Sequence, residues 1–259
     1  QMTRVIVTGG AGYIGSHTCK ALAQAGFEPV TVDNLTGGHR WAVKWGPLEQ
    51  LDVRDTADLH RVLAAYKPIG VLHFAASIDV AQSLRQPLVY YNNNVAGLLS
   101  LLEAMTAVAT GPCVFSSTAA VYGEPETVPI PEDAALRPQN PYGTSKLTGE
   151  RILADLAARG GPTYIALRYF NAAGADPDGD VGEAHDPETH LLPNAVRAAT
   201  GRGAPLTVNG TDFPTADGTA VRDYVHVTDL ADAHVRALQH LLDGAPSDTL
   251  NVGTGTGVS

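Results

Sequence analysis

Cysteine is scarce in this 259-residue chain, with Cys19 and Cys113 alone. Two thiols cannot build a disulfide framework, so the reading is a reduced, cytoplasmic protein. No apolar run approaches the roughly 18 residues that a membrane span needs. A core-like strand is reached by Val5, which is read as leaving no room for a cleaved leader. Positive charge is also short: 17 Lys and Arg against 27 Asp and Glu give a net charge of -10. Such a chain is poorly matched to a phosphate backbone or an anionic bilayer, so neither nucleic acid nor membrane is expected as a partner. Repeats and low-complexity tracts are missing. What the chain has in quantity is apolar residues, 44% of it, with 27 Gly and 17 Pro spread along its length. That combination implies a sizeable core cut into many short elements.

Those elements alternate. Residues 3–8 are β-branched and bounded by glycine, as a buried parallel strand should be. A helix is expected over residues 16–25, stopped by Gly26, then a strand over 29–32 that ends at Asp33. The pattern continues with helix 55–65, strand 70–74, a long helix 88–109, strand 113–116, helix 141–159 and strand 163–167. Strand–helix repetition with buried strands predicts an α/β fold, a doubly wound parallel sheet, over residues 1–170. Beyond it, residues 171–189 are polar and rich in Gly, Asp and Pro. A helix over 192–199, a strand over 223–227, a helix over 229–242 capped by Thr228 and a strand over 250–252 are expected to follow. Residues 171–259 read as part of a smaller C-terminal substrate domain that looks truncated, with 223–253 packing back on the first domain.

Gly10-Ala11-Gly12-Tyr13-Ile14-Gly15 fits the G-x-G-x-x-G fingerprint, follows a strand and opens a helix, the context a Rossmann dinucleotide site requires. Glycine permits a tight turn and close approach to a pyrophosphate, and the helix N-terminus adds free N–H groups. Gly9, Gly12, Tyr13, Ile14 and Gly15 are therefore candidate cofactor residues. Asp33, 18 residues beyond Gly15, ends the second strand. Its carboxylate suits the adenosine ribose hydroxyls and repels the extra phosphate of NADP, so the expected cofactor is NAD. A turn or capping role is the plainer alternative for Asp33. Asp52, beside Val53, stands where it could reach the adenine amino group, or could serve merely as a loop or capping residue.

Tyr142 and Lys146 lie four apart on an expected helix that Asn140 caps and Pro141 opens. A phenol is a poor base at neutral pH, and a lysine one turn away, with a positive nicotinamide, is expected to lower its pKa. Ser116-Ser117-Thr118 closes a buried strand, where a hydroxyl can hydrogen-bond the substrate oxygen whose proton the tyrosine removes. A hydroxyl-rich turn is the bland reading there. The three roles together suit hydride chemistry at a carbinol carbon: Tyr142 as base, Thr118 as orienter and Lys146 as electrostatic support.

These residues together resemble the extended short-chain dehydrogenase/reductase family, and within it the nucleotide-sugar 4-epimerases. The motifs are the segment from Val7 to His17 and Asp33-Asn34-Leu35, then His73-Phe74-Ala75-Ala76 and Asn93-Asn94-Val95. Further along come Phe115-Ser116-Ser117-Thr118, Tyr142-Gly143-Thr144-Ser145-Lys146 and Arg168-Tyr169-Phe170-Asn171. The most specific is Asp217-Gly218-Thr219-Ala220-Val221-Arg222-Asp223-Tyr224-Val225-His226-Val227. The resemblance implies NAD that stays bound, epimerisation at C4 of a UDP-hexose (UDP-galactose to UDP-glucose) through a transient 4-keto sugar, and a homodimer pairing segments 88–109 and 141–159. It places Asn34, Phe74, Ala75, Ala76, Asn93, Ser116 and Tyr169 at the cofactor with Tyr142 and Lys146. It places Thr118, Tyr142, Phe170, Asn171, His190, Leu191, Asn209 and Arg222 at the UDP-sugar, with the Arg222 guanidinium on the diphosphate.

The chain departs from that pattern in places. Ser77-Ile78 stands where many members have lysine, His190 where asparagine is usual, and polar Asn209 where an aromatic often sits. The chain stops at Ser259, short of where the family normally ends, so the substrate pocket is expected to be incomplete. A related 4,6-dehydratase needs an acid–base pair after the catalytic hydroxyl, and Ala119-Ala120 cannot transfer protons. A reductase is disfavoured by Asp33. A non-catalytic NAD-sensing regulator would have no need of Thr118, Tyr142 and Lys146. The remaining rival is a 4-epimerase of UDP-xylose/arabinose or a UDP-N-acetylhexosamine. His185, Asp186, Glu188 and His190 lack the i, i+4 spacing of a helical metal site, so they read as a solvated loop and no metal is expected.

Overall fold

The structure, a computed structural model, describes residues 3–259. Its first half alternates as the pattern predicts: β1 (Thr3–Thr8), α1 (Tyr13–Gln24), β2 (Phe27–Asp33), β3 (Leu48–Gln50), α2 (Thr56–Tyr66) and β4 (Gly70–His73). Then come α3 (Val80–Arg85), α4 (Pro87–Tyr90), α5 (Gly97–Ala107), β5 (Cys113–Ser116), α6 (Pro141–Ala157) and β6 (Tyr164–Tyr169). The remainder is β7 (Asn171–Ala173), α7 (Leu191–Ala199), β8 (Tyr224–His226), α8 (Val227–Leu242) and β9 (Asp248–Val252).

Seven strands form one parallel sheet in the order β3-β2-β1-β4-β5-β6-β9. This is the doubly wound arrangement, with the order reversing beside β1. Both faces are covered. Ile6, Val30, Val32, Val71, Phe115 and Ala166 pack under α2, α5 and α6. Val5, Val7, Leu72, Val114, Ile165 and Leu167 pack under α1 and α8. The strands read as unbroken apolar runs because both faces are dry. β9 extends the sheet beyond β6, so the last described strand joins the first layer. β7 and β8 form a separate parallel pair, with Asn171 opposite Tyr224.

Several local expectations are corrected. α1 begins at Tyr13, not residue 16, because the Ser16 N–H already bonds the Gly12 carbonyl at 3.0 Å. The expected helix 88–109 is α4 and α5 joined by a π-helical stretch, Tyr91–Ala96. Such bulges cluster at functional positions, and this one carries Asn93 and Asn94. Thr228 does not cap α8; the helix starts at Val227 and the His226 ring accepts the Thr228 N–H at 3.2 Å. The short helix α3, capped by Asp79, was not foreseen. No described helix is long and apolar enough to cross a membrane.

Candidate functional site

The carboxyl ends of β1, β4, β5 and β6 lie side by side, since Thr8 pairs with His73, His73 with Phe115, and Ser116 with Leu167. The segments that follow these strands converge there. The glycine turn after β1 is packed to its limit. Gly9 has φ +71°, and a Cβ on it would lie 2.6 Å from the Ala75 nitrogen. A Cβ on Gly15 would lie 2.2 Å from the Gly9 carbonyl oxygen. α1 opens from Gly12 without a side-chain cap. The first-turn N–H groups of Tyr13, Ile14 and Gly15 thus have no intrahelical acceptor and form an anion cradle.

Asp33 is buried, and its carboxylate accepts Ala11 N–H at 3.0 Å and Leu35 N–H at 2.8 Å. Burial pushes its pKa above the usual range against those two bonds. Each oxygen retains a lone pair for a ribose hydroxyl. Asn34 turns inward on its own loop, accepting from Thr36. Asp52 is clamped by Arg54 at 2.6 and 2.9 Å, which holds its carboxyl down at about 2. Val53 is buried against Gly97. Phe74, Ala75 and Ala76 line the turn after β4, with Phe74 ring-packed on His234 at 4.6 Å. An uncapped helix start, a cradle that a Cβ would fill and a buried carboxylate at the second strand end together fit an NAD-type dinucleotide.

The tyrosine and lysine come from α6, capped by Asn140 through Gly143 N–H at 2.8 Å, with Pro141 at its first position. Tyr142 is half-buried, and the Thr118 hydroxyl, which accepts Ala120 N–H at 3.1 Å, favours its phenolate. Lys146 is buried; its Nζ donates to the Ser116 carbonyl at 2.7 Å and sits 5.1 Å over the Phe115 ring. Burial drives Lys146 down to about 7. The expected lowering of Tyr142 is not produced by the protein's own groups. Burial pushes the phenol upward, the Thr118 hydroxyl offsets only part, and the lysine proton is turned toward a carbonyl. Ser116 Oγ and the Tyr169 hydroxyl share a 2.5 Å hydrogen bond. Tyr169 is likewise raised by burial.

Glu150, which sequence reasoning passed over, and Arg168 and Asn94, which it quoted without a role, hold this cluster in place. Glu150 lies one turn beyond Lys146, and its side chain and that of Arg168 are each 6% exposed, paired at 2.6 Å. Ser117 donates to Glu150 at 2.5 Å, and Arg168 donates to the Tyr122 hydroxyl at 2.9 Å. This network ties α6 to β5 and β6. Asn94, from the π stretch, accepts Ser77 N–H at 2.8 Å and donates to Ser145 Oγ at 3.0 Å; Asn93 donates to Ser77 Oγ at 3.0 Å. The signal in sequence was Glu150 falling on the Lys146 face of the helix.

On the substrate side, Asn171 N–H bonds the Asp223 carbonyl at 3.0 Å, and Phe170 is half-buried under Gly253. The Arg222 guanidinium is exposed and forms no ion pair among the described residues; it donates only to the Val221 carbonyl at 2.8 Å. The Asp223 carboxylate is taken by Thr254 and Gly255 instead. His190 precedes α7 and Leu191 opens it, half exposed, while Asn209 is exposed. The solvated-loop reading holds for exposed Asp186 but fails for Glu188, whose side chain is 1% exposed and lies beside that of Glu183 at 9%. Their hydrogen bonds push His190 up to about 9. Earlier in the same loop, Lys20 of α1 bonds Asp176, Asp178 and Asp180 at 2.7–2.9 Å.

A glycine cradle, a buried strand-end carboxylate and a Tyr–Lys helix on one sheet edge define a dinucleotide-binding fold of the short-chain dehydrogenase/reductase type. The chain belongs to the NAD dependent epimerase/dehydratase family, whose model matches residues 5–253. It is 54% identical over 255 residues to the UDP-glucose 4-epimerase of Rhizobium leguminosarum bv. trifolii, covering 98% of this chain and 78% of that protein. Among solved structures it is similar to UDP-glucose 4-epimerase from Brucella ovis in complex with NAD, with TM-score 0.97 and 52% identity, covering 99% of this chain and 79% of that one. It also matches the enzyme from Stenotrophomonas maltophila with bound NAD and formylated UDP-arabinopyranose, with TM-score 0.95 and 42% identity, covering 100% of this chain and 80% of that one.

Proposed function

We propose that this protein is an NAD-dependent isomerase that inverts C4 of a UDP-hexose, converting UDP-galactose to UDP-glucose through a transient 4-keto sugar. The observation that carries the reading is the meeting of three segments on the sheet edge that also holds the glycine cradle: Tyr142 and buried Lys146 one turn apart on α6, the Lys146 Nζ on the Ser116 carbonyl, and Thr118 just past β5. NAD, when bound, supplies a reversible hydride acceptor. Tyr142 accepts the proton of the sugar 4-hydroxyl, and Thr118 orients that oxygen. Lys146 supports the phenolate in its protonated form, which its depression to about 7 makes partial at neutral pH. Asp33 holds the adenosine ribose and repels NADP. Gly9, Gly12 and Gly15 let the backbone reach the pyrophosphate, while Ser116 and Tyr169 brace the nicotinamide end. Arg222, His190, Asn171 and the start of α7 face the UDP moiety; the unpaired Arg222 guanidinium is free for it. A pentose substrate, UDP-xylose/arabinose, is the second reading, favoured by the UDP-arabinopyranose derivative held by the S. maltophila relative.

The reading includes a homodimer in the cytoplasm. The apolar side chains Leu84, Leu88, Val89 and Leu99 are exposed on α3–α5, beside α6, and suit burial against a second copy. Both thiols are free and buried, which suits a reducing compartment. Sedimentation at micromolar concentration should give the dimer mass, and a monomer would remove this part. The activity is tested by incubating the protein with UDP-galactose, without added cofactor, and following the anomeric protons by NMR. UDP-glucose should appear to a fixed ratio. Tyr142→Phe should lower turnover by about 100-fold or more with NAD still bound; turnover at the parent rate would refute its role as base.

A further inference from the structure

The loop between β7 and α7 holds a second constellation, of which the proposed reaction uses only His190. His185 Nδ1 lies 3.1 Å from a Glu183 oxygen and 3.8 Å from Oε2 of Glu188. His190 Nδ1 lies 2.9 Å from Glu183 and 2.9 Å from Glu188 Oε1. One donor atom from each of the four residues lies within 4.8 Å of all the others. In a tetrahedral zinc shell with bonds of about 2.0–2.1 Å, neighbouring donor atoms stand about 3.3 Å apart, a value that the His–Glu separations of 2.9–3.8 Å bracket.

We infer that Glu183, His185, Glu188 and His190 form a binding site for one divalent transition-metal ion of the zinc type. Hydrogen bonds from the imidazoles satisfy Glu183 and one oxygen of Glu188. They leave Oε2 of Glu188 without a hydrogen-bond partner in a side chain that is 1% exposed. An orphaned carboxylate oxygen at that depth is costly unless a cation meets it, and this one points toward His185. Two carboxylates and two neutral imidazoles carry the charge that balances a dication. Nitrogen donors select against calcium and magnesium, which take oxygen shells. Four protein donors close the coordination sphere, so the ion is structural. It would pin the segment leading into α7 beside Tyr13, whose ring stands edge-on to His185 at 6.1 Å, and cancel two buried negative charges next to the glycine cradle.

The test is metal analysis of protein purified without chelator, followed by chelation and titration with Co2+. Retention of about one equivalent of zinc per chain and intense visible bands of tetrahedral Co2+ are expected. His185→Cys should add a thiolate-to-Co2+ charge-transfer band. Glu188→Gln should weaken Co2+ binding by more than the about 10–100-fold that loss of an outer-shell partner costs. Asp178→Asn, in the neighbouring acidic cluster filled by Lys20, should leave it unchanged. No stoichiometric uptake by the parent protein, a weak octahedral Co2+ spectrum, or uptake insensitive to Glu188→Gln in a folded variant would each overturn the assignment.

Discussion

Replacing Lys146 with methionine should change how stability depends on pH. In the native protein burial drives this lysine from 10.5 down to about 7. In the unfolded chain it titrates near its ordinary value. Between those two points the unfolded state holds a proton that the native state has released. Stability therefore rises with pH across that window and is flat with respect to this group below about 7. The maximum slope is about 1.4 kcal/mol per pH unit. From pH 8 to 9.5 the parent should gain about 2 kcal/mol relative to Lys146→Met. Urea denaturation of both proteins freed of NAD, read by circular dichroism at each pH, isolates the term because other titrations are common to both. Parallel pH profiles would refute the argument that Lys146 is desolvated. The same depth ties the lysine to its partner, since Nζ reaches the Ser116 carbonyl at 2.7 Å.

Two further substitutions probe the frame. Gly15→Ala puts a methyl 2.2 Å from the Gly9 carbonyl, a main-chain atom that cannot swing aside. It should cost about 1–3 kcal/mol and open the cradle, and NAD released on denaturation should fall well below one per chain; full retention would refute the tight-turn argument. Arg168→Met strands the buried Glu150 carboxylate, so the urea midpoint should fall by the equivalent of about 3–5 kcal/mol. Pairing it with Glu150→Leu should recover much of that loss, and a single-variant cost near zero would mean that the pair is solvated.

Much of the frame was legible because the signals are local. Buried parallel strands read as short β-branched runs, and β1, β4 and β5 lie where the runs predicted them. The G-x-G-x-x-G turn, Asp33 at the end of β2, and the Asn140-Pro141 start of α6 are chemical statements about consecutive residues, so a linear reading reaches them. The π stretch between α4 and α5 was not legible, because its hydrophobic spacing looks like an ordinary helix. What distinguishes it is where Asn94 must reach to meet Ser77 and Ser145.

The chain's order of residues was enough to determine the fold class, the expected cofactor and the identity of the Tyr142–Lys146 pair, since periodicity and short motifs encode these. Tertiary structure alone decided the electrostatics. The direction of the Tyr142 shift depends on burial and on where Lys146 donates its proton. The pairing of Glu150 with Arg168 joins residues from different elements. The half-buried Glu–His cluster in an apparently solvated loop sits against residues far back in the chain, with His39 bonded to the Ala184 carbonyl at 2.7 Å and the Tyr13 ring edge-on to His185. Desolvation and long-range pairing are properties of how elements pack, and no spacing along the chain records them.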